Sequence, residues 1–493
     1  MTRFLLVVPP LVGHVNPLVG VADELVRRGH EVAWAGHAGQ IRRLAGAEAT
    51  VYDCVVPGGG LSRPPGLTGP AAFRFLWAEF FVPLADAMAP GVEAAIDSFR
   101  PDLVLTDQHA VAGALVAERR GIVHVTSATT SAELVDPLGG MPKVGAWLHE
   151  LLGGLRSRIG DPARTGDPRF SPHGVIAFTG RELLGDAPLP HERTYLVGPA
   201  IAPRADRSDF PWDELDPARS TVLVSLGTAN ADAGGRFLAE AVTALDRLRD
   251  RVQGVVVDPG HTLASVPPGV LVREHVPQLD LLARVDAVVC HAGHNTVCES
   301  LWHGLPLVLA PIRDDQPIVA GQVVDAGAGV RVRFGRVDAE RLAAAIETVL
   351  DPAGSHRSAA EAIGRSLREA GGQSAAADHL ERTAGEALVL VSARNAAPVA
   401  PEQGSVRPES APVRAEPAPV RGEPVPARAE HVPVRAESGV VRAEPASVRA
   451  EPANVRAESG VVRAETAAVR PESAPAVGPG PVPVPAEPAP SSR

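Results

Sequence analysis

The chain has 493 residues, 45% of them hydrophobic and 4% aromatic, and a formal net charge of −11. That length and apolar content support two or three domains with large cores, and the acidic balance excludes a general affinity for nucleic acid or anionic membrane. Cys54, Cys290 and Cys298 are too few and too scattered for a disulfide framework, which fits a reducing cytoplasm.

Arg3 followed by Phe4–Val8 has the look of a secretory signal, but Pro9, Pro10, Gly13 and His14 interrupt the run and no small-residue cleavage site follows. The stretch reads as a first core strand, and no apolar run approaches the length needed to cross a bilayer. Leu18–Arg28 reads as a helix closed by Gly29, and Glu31–Ala35 as a second strand. The Gly/Pro-rich stretch Pro57–Pro70 reads as a lid, as does Leu134–Pro172. Between them, Phe73, Phe75, Trp77, Phe80 and Phe81 fall within nine residues of a chain poor in aromatics. They are candidates for an apolar acceptor pocket, with Phe73, Trp77, Phe80 and Phe81 as its lining. The bland alternative is a helix packed into a core. A strand at Leu103–Thr106, a helix at Ala110–Arg120 and a strand at Val123–Thr126 continue a βα rhythm, which implies a parallel sheet covered by helices.

The rhythm pauses over a polar 203–217 linker, then resumes with a strand at Thr221–Ser225, a helix at Gly235–Leu248 and a strand at Gly254–Asp258. The run Val285–Cys290 reads as a buried strand, ended by the turn His291-Ala292-Gly293, after which Asn295 and Thr296 open a helix. Free amides and the positive end of a helix dipole favour phosphate there. Glu299 lies one turn on from Asn295, on the same helix face, where a carboxylate accepts from ribose hydroxyls. Helices follow at Ala339–Leu350, near His356–Glu369, and over Ala375–Val391.

From about residue 396 the composition changes. A heptad Val-Arg-x-Glu-x-x-x recurs ten times from Val406, with Arg every seventh residue from Arg407 to Arg470. Prolines interrupt the repeats and only one position per heptad is regularly apolar, so a coiled coil is excluded and 396–493 reads as a disordered, polyproline-rich tail.

The 26 residues His291–Gln316 resemble the signature of the UDP-glycosyltransferase family, whose members have the GT-B fold. The matching positions are His291, Gly293, Asn295, Thr296, Glu299, Gly304, Pro306, Pro311, Asp315 and Gln316, while His294 stands where many plant members carry Trp. The resemblance implies two Rossmann-like domains facing a cleft: an acceptor-binding domain at 1–202 and a nucleotide-sugar-binding domain at 218–395, whose last helix crosses back to the first. It implies that His291, Asn295 and Thr296 hold a diphosphate, with His294 in the same donor-binding group. Glu299 would bind ribose, and Asp315 and Gln316 the sugar hydroxyls. Ser225, Gly227 and Thr228 fit the family's Ser-x-Gly-Thr loop on the diphosphate. His275-Val276-Pro277-Gln278 resembles the base-reading Trp-x-Pro-Gln, with His in place of Trp, which leaves uracil against thymine open.

Glycosyl transfer to a hydroxyl needs a base, and imidazole suits it. His14, in Gly13-His14-Val15-Asn16-Pro17, sits where the first strand gives way to the first helix, at the cleft edge of the sheet. Asp107, at the exit of the Leu103–Thr106 strand, is the candidate partner, and His109 an alternative neighbour. The same family carries this dyad and inverts the anomeric centre. No His or Cys set has metal-ligand spacing, so no metal or other cofactor is expected, and the diphosphate would be met by His291, the helix dipole and amides.

The function this implies is transfer of a hexose or deoxyhexose from a UDP- or dTDP-sugar to a hydroxyl of a hydrophobic small molecule. The partners are a nucleotide sugar and that acceptor, with no nucleic acid and no stable membrane insertion. Oligomeric state is not written in the sequence. The alternatives are a lipid or carotenoid glycosyltransferase, or a non-catalytic sugar-nucleotide-binding auxiliary protein, which has no use for a base.

Overall fold

A computed structural model describes residues 1–396 apart from 60, 62, 65, 66, 68, 136, 137, 190, 203–208 and 228–233. The repeat tail, the first part of the expected linker and Thr228 lie outside the described residues.

Two parallel sheets form one compact unit. The first contains β1 (Arg3–Val7), β2 (Glu31–Gly36), β3 (Val51–Asp53), β4 (Leu103–Asp107), β5 (His124–Ala128), β6 (Val175–Ala177) and β7 (Thr194–Leu196), in the order β3-β2-β1-β4-β5-β6-β7. The second contains β8 (Ser220–Ser225), β9 (Val252–Val257), β10 (Val270–Arg273), β11 (Ala287–Cys290), β12 (Leu307–Leu309) and β13 (Gly329–Arg331), in the order β10-β9-β8-β11-β12-β13. Helices cover both faces, so the central strands β1, β8 and β11 are largely apolar and buried on both sides. In β1, Leu5 and Val7 enter a core with the aromatic helix on one face, while Phe4 and Leu6 enter the opposite core with the first helix.

The order reverses at β1/β4 and at β8/β11, which opens a crevice at the carboxyl ends of those strands. Each pair is in direct register, Val7 against Thr106 and Cys290 against Ser225. The residues that leave β1 and β4 are therefore neighbours, as are those that leave β8 and β11. All candidate catalytic and diphosphate residues come from these four exits.

Three local readings change. The first helix is Val12–Arg27 rather than Leu18–Arg28, with Pro17 inside it. Proline has no N–H for the carbonyl four residues back, so Gly13 O lacks its helical donor and faces the second half of the molecule. The aromatic run is one continuous helical stretch, Gly69–Phe99, with a π-helical segment at Leu76–Phe81. By length and composition this stretch is long and apolar enough to cross a membrane, contrary to the reading of the apolar runs; half of its most apolar window is buried within the protein. Finally, the expected linker packs: Phe210 is buried in the second core and Arg284 lies 4.3 Å from the ring centre of Trp212.

The helix Gly372–Ala396 returns to the first sheet, where Ala376, Ala377, Leu380 and Ala384 join the core of Phe4 and Leu6. Arg28 fastens it, donating to Asp378 at 2.6 Å, Glu381 at 2.7 Å and Ser374 Oγ at 2.9 Å. His30 adds a 2.7 Å contact to Glu381.

Candidate active site

His14 lies in the first turn of its helix with its side chain 17% exposed; Asp107 ends β4 and is fully buried. His14 Nδ1 stands 3.0 Å from both carboxylate oxygens. Asp107 Oδ2 also accepts from Thr129 Oγ1 at 2.7 Å, and Oδ1 from the His109 amide at 2.8 Å. Thr129 Oγ1 is 2.8 Å from His14 Nδ1, so the hydroxyl touches both members. An ionised carboxylate only accepts, which puts the imidazole proton on Nδ1 and leaves Nε2 as a bare lone pair. That atom has no hydrogen-bond partner among the described residues. Burial pulls the His14 pKa down, but the charge and hydrogen bond of Asp107 outweigh it, and the net value lies above 6.5. Burial pushes Asp107 up, and His14 together with His109 brings it below the ordinary carboxylate value.

Across the crevice, β11 ends at a turn in which Ala292 has φ 65°, and the helix His294–Trp302 begins behind it. The His291 ring is wedged between two glycines. A Cβ on Gly227, itself at φ 69°, would fall 2.7 Å from His291 Cε1, and one on Gly293 would fall 2.3 Å from Nε2. Ser225 closes β8 and is buried. Burial holds His291 down at about 4. That direction favours the neutral ring in the unliganded protein. Thr296 and Glu299 are buried on this helix, and Gln278 Nε2 donates to Glu299 Oε2 at 2.7 Å. Val276 is buried, whereas the His275 ring is 62% exposed beside Glu274.

The two halves are joined through these same residues. Asn295 Nδ2 donates to Gly13 O at 2.7 Å, the carbonyl that Pro17 leaves free. Three hydroxyl residues after β5 act in sequence. Thr129 holds the dyad; Thr130 Oγ1 donates to Asp315 Oδ2 at 2.7 Å; Ser131 Oγ donates to Gln322 Oε1 at 2.5 Å. Burial raises the Asp315 pKa against the pull of Thr130. Gln316 is turned inward, its Oε1 accepting from the amides of Ile312 at 2.9 Å and Arg313 at 3.0 Å. Arg63, from the expected lid, donates to both oxygens of Asp314 at 2.8 and 2.9 Å.

Two groups of candidates are not where the sequence reading put them. His294 is buried against the first half and not toward the diphosphate turn: Nε2 meets Phe178 O at 3.1 Å and Nδ1 accepts from the Ser131 amide at 3.4 Å. Trp77, Phe80 and Phe81 are core residues, at most 6% exposed, as in the bland alternative; Phe73 is partly buried, 6.4 Å from Trp147. The π-helical turn places Trp77 and Phe81 together on the ring of His109, at 5.7 and 4.5 Å. His14, Asp107 and His109 offer ligand-type atoms within 4.8 Å of one another, a convergence that spacing along the chain cannot reveal. The Asp107 oxygens are already shared by three donors of the dyad.

Residues 240–370 match the family described as erythromycin biosynthesis protein CIII-like, C-terminal domain. The chain is 31% identical over 396 residues to 4'-demethylrebeccamycin synthase of Lentzea aerocolonigenes, covering 71% of this chain and 92% of that protein. It is 29% identical over 399 residues to demethyllactenocin mycarosyltransferase of Streptomyces fradiae, covering 76% and 84%. The crystal structure of the glycotransferase of kitacinnamycin superposes with a TM-score of 0.64 at 27% identity, over 78% of this chain and 99% of that one. With this identity sustained along nearly the whole of a relative, and with two parallel sheets meeting at a crevice, the chain belongs to the UDP-glycosyltransferase family, among the GT-B glycosyltransferases of bacterial natural-product synthesis.

Proposed function

We propose that this glycosyltransferase moves a hexose or deoxyhexose from a UDP- or dTDP-sugar to a hydroxyl of a hydrophobic secondary metabolite, in the cytoplasm and with inversion. The observation that carries the reading is the state of His14: Nδ1 is held by a buried carboxylate while Nε2 is bare at the crevice. In the reaction the acceptor oxygen attacks the anomeric carbon, its proton passes to Nε2, and the bond to the diphosphate breaks. The nucleoside diphosphate leaves with the bonding pair. One displacement from the face opposite the leaving group inverts the centre. Asp107 stabilises the imidazolium and keeps the tautomer.

On the donor side, the turns at Ser225–Gly227 and His291–Gly293 and the first amides of the helix His294–Trp302 cradle the diphosphate. Glu299, steadied by Gln278, accepts from the ribose, and Asp315 and Gln316 receive the sugar. The His275 ring is free to lie on the base. These residues need no metal ion to meet the leaving group. Relatives named for demethyllactenocin and demethylrebeccamycin favour a natural-product acceptor, and three buried free thiols are in keeping with a reducing compartment.

The test is a panel of UDP- and dTDP-sugars offered with mixed phenolic and macrolide acceptors, read by mass spectrometry, with product anomers read by NMR. His14→Ala should abolish transfer and leave UDP or dTDP binding nearly unchanged. Full transfer by that variant would remove His14 from the role of base.

A further inference from the structure

Behind the dyad lies a second buried chain of charge that transfer chemistry does not by itself require. His109 Nε2 is 3.1 Å from Glu133 Oε1, and Arg169 donates to the other Glu133 oxygen. Arg169 also meets Asp167 at 2.6 Å and stands 5.4 Å from the Trp77 ring centre. The side chains of His109, Glu133 and Arg169 are only 10, 10 and 12% exposed. His109 touches both halves of the dyad: its amide donates to Asp107 and its ring lies 5.1 Å from that of His14.

The choice of histidine at 109 needs a reason. Its ring is stacked on Phe81 at 16° and edged by Trp77, surroundings that phenylalanine would fill as well. Because Glu133 can only accept, the proton sits on Nε2, and Nδ1 is left buried with no hydrogen-bond partner. An unsatisfied buried acceptor is destabilising. What histidine adds in return is the bridge to Glu133.

We infer that Glu133 and His109 are positioning residues of the transfer reaction, which hold the base dyad in place and set its charge from behind. This rests on the reading of His14 as the base. The groups that face His14 are Asp107, His109, Glu133, Asp315 and His294, of which Asp107, Glu133 and Asp315 raise its proton affinity. Glu133 stays ionised throughout, since Arg169 and His109 outweigh its burial and hold it at about 2. It is thus a permanent negative charge one ring away from the base. Arg169 fixes that carboxylate and dilutes its charge.

The experiment is an NMR titration of the full chain labelled in its histidine rings, with His14 and His109 assigned from His14→Gln and His109→Phe. Glu133→Gln removes the charge and keeps the outline of the side chain, and its single carbonyl oxygen can accept from Arg169 or from His109 but not from both. The expected result is a fall in the His14 midpoint on the order of 0.5 pH unit. A midpoint equal to that of the wild-type protein would overturn the inference. Should Glu133→Gln fail to fold, the wild-type spectra carry the test alone: His109 must be protonated at Nε2 and bare at Nδ1, and the opposite tautomer would overturn it. No donor or acceptor is needed, so the outcome is separate from whether transfer is found.

Discussion

The role proposed for His14 as base holds only while one nitrogen is occupied and the other is empty. Asp107→Asn keeps the shape but brings an amide that can donate to Nδ1, and this moves the ring proton to Nε2. The expected outcome is a fall in kcat of about a thousandfold or more, with nucleotide binding by calorimetry unchanged. A comparable loss of nucleotide affinity would place Asp107 in the donor site instead. Thr129→Ala removes a single hydroxyl from a carboxylate that keeps two other donors. It should cost about 1 kcal/mol, roughly fivefold in kcat, with little change in KM. Because the His14 pKa is raised and its neutral form is the base, kcat/KM should rise with pH through a midpoint above 6.5. A midpoint below 6.5 would show that the carboxylate does not dominate the ring.

At the scale of the element, the turns proposed to cradle the diphosphate depend on what is missing from them. Gly227→Ala puts a methyl group 2.7 Å from His291 Cε1 at a φ of 69°, where an L side chain costs about 1 kcal/mol before any clash. It should weaken UDP or dTDP binding tenfold or more while the melting temperature falls by only a few degrees. Undiminished nucleotide binding would mean that the His291 ring does not form part of the cradle. Much of this was legible in the sequence. Glycines after β-branched runs marked the strand exits, and the spacing of Asn295 and Glu299 gave the helix face. Asp107 was identified because the end of a parallel strand faces the crevice. Other features were not legible, because they arise from contacts between distant segments. Nothing local distinguishes Pro17 inside a helix from Pro17 before one, and its consequence, a carbonyl bound by Asn295, appears only once the halves meet. Trp77 and Phe81 lie four residues apart and share a helix face at the ordinary period, but the His109 ring they meet there comes from a distant segment. His294 reads as a donor residue because its neighbours in sequence do. One residue of helix rotation turns it toward Ser131 and Phe178.

For the molecule as a whole, buried neutral histidines make the fold sensitive to acid. Burial holds His124 at about 3 and both His291 and His294 at about 4. In the unfolded chain each titrates near 6.5. Their folded values are depressed, so the unfolded state binds the extra protons, and stability is full above 6.5 and falls as pH drops toward 4. The slope is roughly 1.4 kcal/mol per pH unit for each group once the pH is well below 6.5. His14 works in the other direction, since its raised value adds stability that is complete below 6.5 and lost above its folded midpoint. Burial also lowers His173, His303 and His379, so six depressed histidines stand against one raised and leave a net loss on acidification, a large share of the roughly 5–15 kcal/mol that holds a domain folded. His294 gives the loss a place in the structure: protonating Nδ1 would set one N–H against the Ser131 amide and break a contact between the halves. Melting temperatures measured from pH 7.5 to 5.0 should therefore fall steeply below 6.5. His124 is the cleanest probe, being 2% exposed, without a partner at Nε2 and three register positions from Asp107 on the neighbouring strand, at its opposite end. His124→Phe should flatten the slope by the contribution of one proton and leave the pH profile of kcat/KM where it was. An unchanged slope in that variant would show that His124 does not stay neutral in the folded protein.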